Sequence, residues 1–248
     1  MNHLKKVFHS ILANLERRKE PSFDCPLCGY SGVFASLNST SGRRKYAVCP
    51  KCGALERHRL QKLVFESVME KFDRSKLDLL HIAPEECHQI MFKGIGNYVT
   101  ADLTRSDVDI NFDLQKKAPF PNCAFDVVIA SHVLEHIPDD NRALAELRRI
   151  IKPGGIAILP VPIVSQYTIE YPQPNDSESG HVRAPGFDYF TRYRNYFDRI
   201  EEFSSESFPE IYQLYIYEDR TIYPTSESPL RTPMPGERHI DIVPVCFT

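Results

Sequence analysis

The chain has 248 residues, 42% of them hydrophobic, enough to bury the core of one large domain with a small appendage. No apolar run reaches the about 18 residues of a membrane span, and MNHLKKVFHSILANLERRKE lacks the apolar core and cleavage site of a secretory leader, so a soluble, cytoplasmic protein with no membrane span is expected. The net charge of −3 is unevenly divided, with 15 Lys and Arg against 7 Asp and Glu over residues 1–76 and 15 against 26 in the remainder. That asymmetry places a boundary near residue 76, with the basic block either facing a polyanion or attracted to the acidic half.

Leu4, Val7, Phe8, Ile11, Leu12 and Leu15 recur at helical spacing and predict an amphipathic helix docked on its own domain, with a membrane-surface helix as the alternative. Two C-P-x-C-G units follow, Cys25 with Cys28 and Cys49 with Cys52. In each, two thiolates two residues apart can face one ion while the glycine accommodates the turn. Together they predict a closed tetrahedral Zn2+ site of structural type, with VFASLN and RKYAV as the hairpin of a zinc ribbon around residues 39–42. Cys87, Cys123 and Cys246 lack partner spacing and are read as ordinary cysteines. ALERHRLQKLVFESVMEKF, residues 54–72, has the rhythm of a helix joining the ribbon to the large domain. Its opening Glu56-Arg57-His58-Arg59 either meets an anion or forms a solvated face.

From residue 77 the pattern turns to α/β. LDLLHIA reads as a buried strand, PEECHQIMFKG as a helix, and NYVTADL as a second strand ending at Asp102. A strand, crossover helix and strand make a right-handed parallel unit whose ligand lies at the carboxyl ends of the strands, where an acid such as Asp102 can accept hydrogen bonds from both hydroxyls of a ribose. FDVVIA then predicts a central strand, NRALAELRRII a helix, and KPGG its end before the apolar strand IAILPVPI. No G-x-G-x-x-G follows the first strand and no Walker-type loop is present, which disfavours NAD and nucleoside triphosphates.

FDVVIASHVLEHIPDDNRALAELRRIIKPGGIAILPVP resembles the central stretch of class I S-adenosylmethionine-dependent methyltransferases, type 11-like, and the resemblance covers about residues 77–163. It implies an α/β, Rossmann-like doubly wound sheet of seven strands with the last hairpin antiparallel, beside the small ribbon. It also implies S-adenosylmethionine as cofactor, with Asp102 at the ribose, Leu103 among the cofactor-binding residues, Asp113 and Leu114 flanking the adenine, and Ser131 and His132 on the pocket wall. The first motif departs from the family's glycine-rich turn, with His81, Ala83 and Glu85 standing in an L-H-x-A-P-E variant. Pro84 there can open the following helix and leave its N-terminus facing a carboxylate.

Three histidines are candidates for a catalytic base, His132 and His136 after the fourth strand and His181 in the Pro- and Ser-rich insertion 165–186. The insertion leaves the carboxyl edge where a lid would sit, so His181 and Arg183 are candidate substrate contacts, the arginine gripping an anionic acceptor. Beyond it, residues 188–197 read as a helix, RIEEFS and YQLYIYED as the last two strands, and the Pro-rich end as an irregular tail. Domains are thus expected at 1–76 and 77–248. The function expected is methyl transfer to a small-molecule or carbohydrate-like acceptor. Two alternatives stand beside it: an RNA-directed methyltransferase using the basic ribbon, and a zinc-containing binding protein with a non-catalytic methyltransferase-like domain.

Overall fold

The computed structural model describes residues 20–39 and 42–248; the helix expected over residues 4–15 and the turn residues 40 and 41 lie outside the described residues. Strands β1 (Phe23–Asp24) and β2 (Ser31–Gly32) pair around the first cysteine unit, and β3 (Ala35–Ser39) pairs with β4 (Gly42–Val48) in the predicted hairpin. Helix α1 (Glu56–Met69) then lays Leu60, Val64, Phe65 and Met69 on the large sheet.

That sheet contains β5 (Asp78–Ile82), β6 (Asn97–Asp102), β7 (Ile110–Asn111), β8 (Phe125–Ala130) and β9 (Ile151–Ile158), all parallel. β5 and β8 are nearly continuous apolar runs because helices cover both faces. The crossover between β5 and β6 holds only one turn of helix, α2 (Glu86–Gln89), shorter than the predicted element. On the far face α3 (Asp140–Ile150), capped by Asp139 Oδ1 accepting the Arg142 N–H, buries Leu144, Leu147 and Ile150. Burial of each such side chain stabilises the fold by about 1.5–3 kcal/mol.

After β9, residues 165–186 form a hairpin, β10 (Ile169–Asn175) and β11 (His181–Ala184), closed at its base by a bridge between Ser165 and Gly186. The predicted helix after it is instead a run of 3-10 turns, Tyr189–Asn195. β12 (Arg199–Ser204) forms as expected. The next two expectations fail. YQLYIYED contributes only β13 (Ile216–Tyr217), which pairs with β4 of the ribbon and with β14 (Arg238–His239). The supposed irregular tail supplies β15 (Ile242–Phe247), inserted antiparallel between β9 and β12. Pro244 looked like a strand breaker. It falls one residue before the β9 pairing begins at Val245, so its missing N–H costs no rung on that side, and its carbonyl accepts the Leu159 N–H.

The resulting order β12-β15-β9-β8-β5-β6-β7 is a seven-stranded, mostly parallel Rossmann-like sheet. The small sheet β14-β13-β4-β3 takes strands from both ends of the chain and so spans the boundary expected at residue 76. No helix among the described residues is long and apolar enough to cross a membrane.

Candidate active site

A cavity of about 310 Å³ opens at the carboxyl ends of β5, β6 and β8, the position where a doubly wound sheet binds its ligand. Six of the nine expected cofactor residues line it: Ala83, Asp102, Leu103, Asp113, Leu114 and His132. Asp102 Oδ1 accepts the N–H groups of Thr104 and Arg105 at 2.8 and 3.0 Å, which fixes the carboxylate at the strand end. Leu103 is 63% exposed on the rim, an apolar surface suited to a flat ring. The Gln115 N–H bonds Asp113 Oδ1 at 2.9 Å and holds that acid below the usual carboxylate range. Phe112 and Gln115 complete this side, and nothing in their sequence spacing announced them.

The glycine-poor first motif keeps the glycine conformation. Ala83 has φ of 51°, in the left-handed region, and its N–H donates to the Ala101 carbonyl at 2.7 Å. An alanine there carries strain of about 1 kcal/mol that a glycine would not. His132 also sits left-handed, at φ of 55°, at the turn after β8. Backbone strain held at two turns around one cavity is typical of a working site.

Three expected cofactor residues face elsewhere. Side chains alternate along β5, so with Ile82 on the cavity His81 points to the opposite face, where it is fully buried against Tyr98 with Nδ1 2.9 Å from the hydroxyl. Burial lowers its pKa to about 3 and keeps it neutral. Ser131 is buried behind the cavity wall. Glu85 turns to α1: its Oε1 accepts Arg57 at 2.6 Å and its Oε2 lies 3.0 Å from His58 Nε2. The anion met by the basic opening of α1 is thus an internal one. Burial alone would raise the Glu85 pKa, but His58 and Arg57 hold it well below the usual range.

The histidines come together. His136 and His181 stack edge to face with ring centroids 4.7 Å apart, and His132 Nδ1 lies 3.3 Å from Glu135 Oε1. Burial lowers the His181 pKa to about 4. Glu135 is 1% exposed, and beyond the His132 contact at Oε1 its Oε2 has no hydrogen-bond partner. Arg183, expected to grip the acceptor, is 1% exposed. Its guanidinium donates to the carbonyls of Leu134, Ile137 and Pro138 and to Glu170, so it shapes the loop that carries Glu135 and His136. A larger, more open cleft of about 450 Å³ lies between residues 171–177 and 226–230, away from the strand ends.

At the ribbon, Cys25, Cys28, Cys49 and Cys52 converge, with Sγ–Sγ distances of 3.6 Å for Cys25–Cys52 and Cys28–Cys49. A tetrahedral ion with about 2.3 Å thiolate arms has edges of about 3.8 Å, so the donor set fits a thiophilic metal. Both units fold alike: Gly29 and Gly53 take φ of 68° and 73° and donate to the carbonyls of Cys25 and Cys49.

The strand order and the cavity at the switch of the sheet define a Rossmann-like, doubly wound α/β fold. A family model described as "Methyltransferase domain" matches residues 96–159, the stretch from β6 through β9. The ubiquinone/menaquinone biosynthesis C-methyltransferase UbiE of Ralstonia pickettii is 54% identical over 37 residues, 15% of each chain. The sterol 4-C-methyltransferase strm-1 of Caenorhabditis elegans is 36% identical over 83 residues, 33% of this chain and 23% of that one. The matched stretches thus span less than a quarter of these relatives. Among solved structures, a putative methyltransferase from Bacillus halodurans C-125 is 16% identical with a TM-score of 0.47, covering 75% of this chain and 97% of its own. Residues 96–159 of this chain thus resemble a methyltransferase domain.

Proposed function

We propose that the protein is an S-adenosylmethionine-dependent methyltransferase acting on a small-molecule or carbohydrate-like acceptor, with Zn2+ held by Cys25, Cys28, Cys49 and Cys52 as a structural ion. The observation that carries the proposal is the cavity at the strand ends, where Asp102, tied through one oxygen, leaves the other for ribose hydroxyls. Exposed Leu103 offers its face to the adenine, and Asp113 and Leu114 flank it. The left-handed turn at Ala83 lets the backbone approach the methionine part.

When bound, the cofactor supplies a methyl group on a sulfonium. Transfer is an in-line displacement, so the residues around the cavity mainly align donor and acceptor and exclude water. His132 lines the cavity with Nε2 unpartnered, placed to take an acceptor proton where one must leave. His136 also borders the cavity, with His181 against it from the hairpin, so acceptor contacts are assigned to this side.

An RNA acceptor is less well supported. Several ribbon-half cations are paired within the chain, Arg44 with Glu56, Arg57 with Glu85, and Lys62 and Arg74 with Glu66. Calorimetric titration with S-adenosylmethionine and S-adenosylhomocysteine tests the reading: micromolar binding is expected, weakened at least tenfold in Asp102→Ala. A folded, zinc-loaded protein that releases no heat would instead be a binding protein with a non-catalytic domain.

A further inference from the structure

Three side chains beside the cavity form a constellation that cofactor binding does not use. Glu135, His136 and His181 each place a potential ligand atom within 4.8 Å of the others. A carboxylate and two imidazoles are the donors of three-ligand metal sites, which leave coordination positions open for water or substrate. We propose that they bind a divalent transition-metal ion whose open positions take a pair of oxygen donors, such as vicinal hydroxyls, from the acceptor.

Four observations support the site. Glu135 is nearly completely buried, and with His132 Nδ1 3.3 Å from Oε1 its other oxygen is left without a hydrogen-bond partner, as is the buried Nδ1 of His181. A buried carboxylate left so is costly unless a cation meets it. The surroundings are built: Arg183, two residues from His181 on β11, spends its donors on the carbonyls of residues 134, 137 and 138, locking the turn that bears Glu135 and His136. The hairpin therefore delivers one ligand and fixes the loop that delivers the other two. Finally, the site opens on the donor cavity, since His136 lines that cavity and is itself exposed. Neighbouring ligand atoms around an ion with about 2.1 Å arms stand about 3–3.5 Å apart. The proposed site requires the exposed His136 ring to turn toward Glu135 and His181.

Two contacts compete for these groups. His132 Nδ1 lies 3.3 Å from Glu135 Oε1, which still leaves the second oxygen, and His181 Nδ1 is 3.9 Å from Glu178 Oε2. Glu178 is already engaged by Arg231 and Tyr171, so it does not take the place of a ligand. Two imidazoles favour zinc or iron over magnesium or calcium, and the carboxylate with open water positions admits manganese as well.

Mn2+ is the probe of choice, because a four-thiolate ribbon prefers softer ions. With the zinc-loaded full chain, Mn2+ titration followed by electron paramagnetic resonance and water-proton relaxation is expected to show one bound ion with coordinated water. His181→Ala and His136→Ala should each weaken binding at least tenfold; the second removes an exposed side chain and so leaves the fold intact. A methyl glycoside with vicinal hydroxyls should lower the relaxation enhancement, and its 2-deoxy analogue should not. Absence of bound Mn2+, Co2+ and Zn2+ beyond the ribbon's ion, or variants that bind like the parent, overturns the site. Unchanged relaxation with the glycoside overturns the acceptor class. The ion's role with the acceptor rests on the methyltransferase reading, whereas its binding does not: Mn2+ uptake without S-adenosylmethionine binding would sink that reading alone.

Discussion

Glu85 shows how one side chain can serve a different partner from the one its motif suggests. Its carboxylate lies between Arg57 and His58, which hold its pKa below the unfolded value near 4.3. A depressed pKa gives stability that is present above the unfolded value and lost as pH falls through the folded one. Glu85→Gln, which mimics the protonated acid, should therefore cost about 1–3 kcal/mol near neutral pH. Thermal melts should show the gap from the parent closing as pH drops below about 4; a gap independent of pH would rule out the ion pair as its source. Asp102 was legible from sequence because an acid at a strand's end has a local meaning. Glu85 was not, because its partners are 28 and 27 residues away in the chain and only the packing of α1 brings them near.

At the scale of elements, periodicity and breakers located the parallel core, and paired cysteine units located the four-cysteine cluster. What escaped was the pairing of the last strands. IVPVCF reads as a broken segment only if its proline must donate, whereas the structure sets Pro244 beside the end of β9. YQLYIYED is rich in strand-forming residues, yet Gln213 is committed to bonds with the carbonyls of Tyr46 and Tyr215, and the chain veers to the ribbon. Because β15 joins β9 to β12, its loss opens the core on Val243 and Val245, both fully buried. A chain ending at residue 240 is expected to lose cooperative thermal unfolding and cofactor binding together. A sharp melt from that truncation would contradict the role given to β15.

Across the molecule, Arg59 is one of the side chains that join the two halves. It is fully buried on α1, stacks over Phe34 of the ribbon at 4.5 Å, and donates to the carbonyls of Ala47, Ala54, Tyr212 and Gln213. Burial brings its pKa down to about 10, still well above neutral pH, so it stays charged and its N–H groups donate hydrogen bonds to these carbonyls. A lysine offers a point charge in place of a planar fork, so Arg59→Lys should destabilise the whole chain by about 2–4 kcal/mol in denaturant titrations. An unchanged midpoint would show that the halves hold together without it.

The ribbon sheet has a consequence for heredity. Its strands come from residues 35–48 and again from 216–217 and 238–239. The piece that would have to be exchanged to replace the ribbon is therefore discontinuous in the gene. A single crossover between diverged copies would part β4 from β13 and Arg59 from Gln213, and recombination of this kind should be purged wherever the two sides have drifted apart.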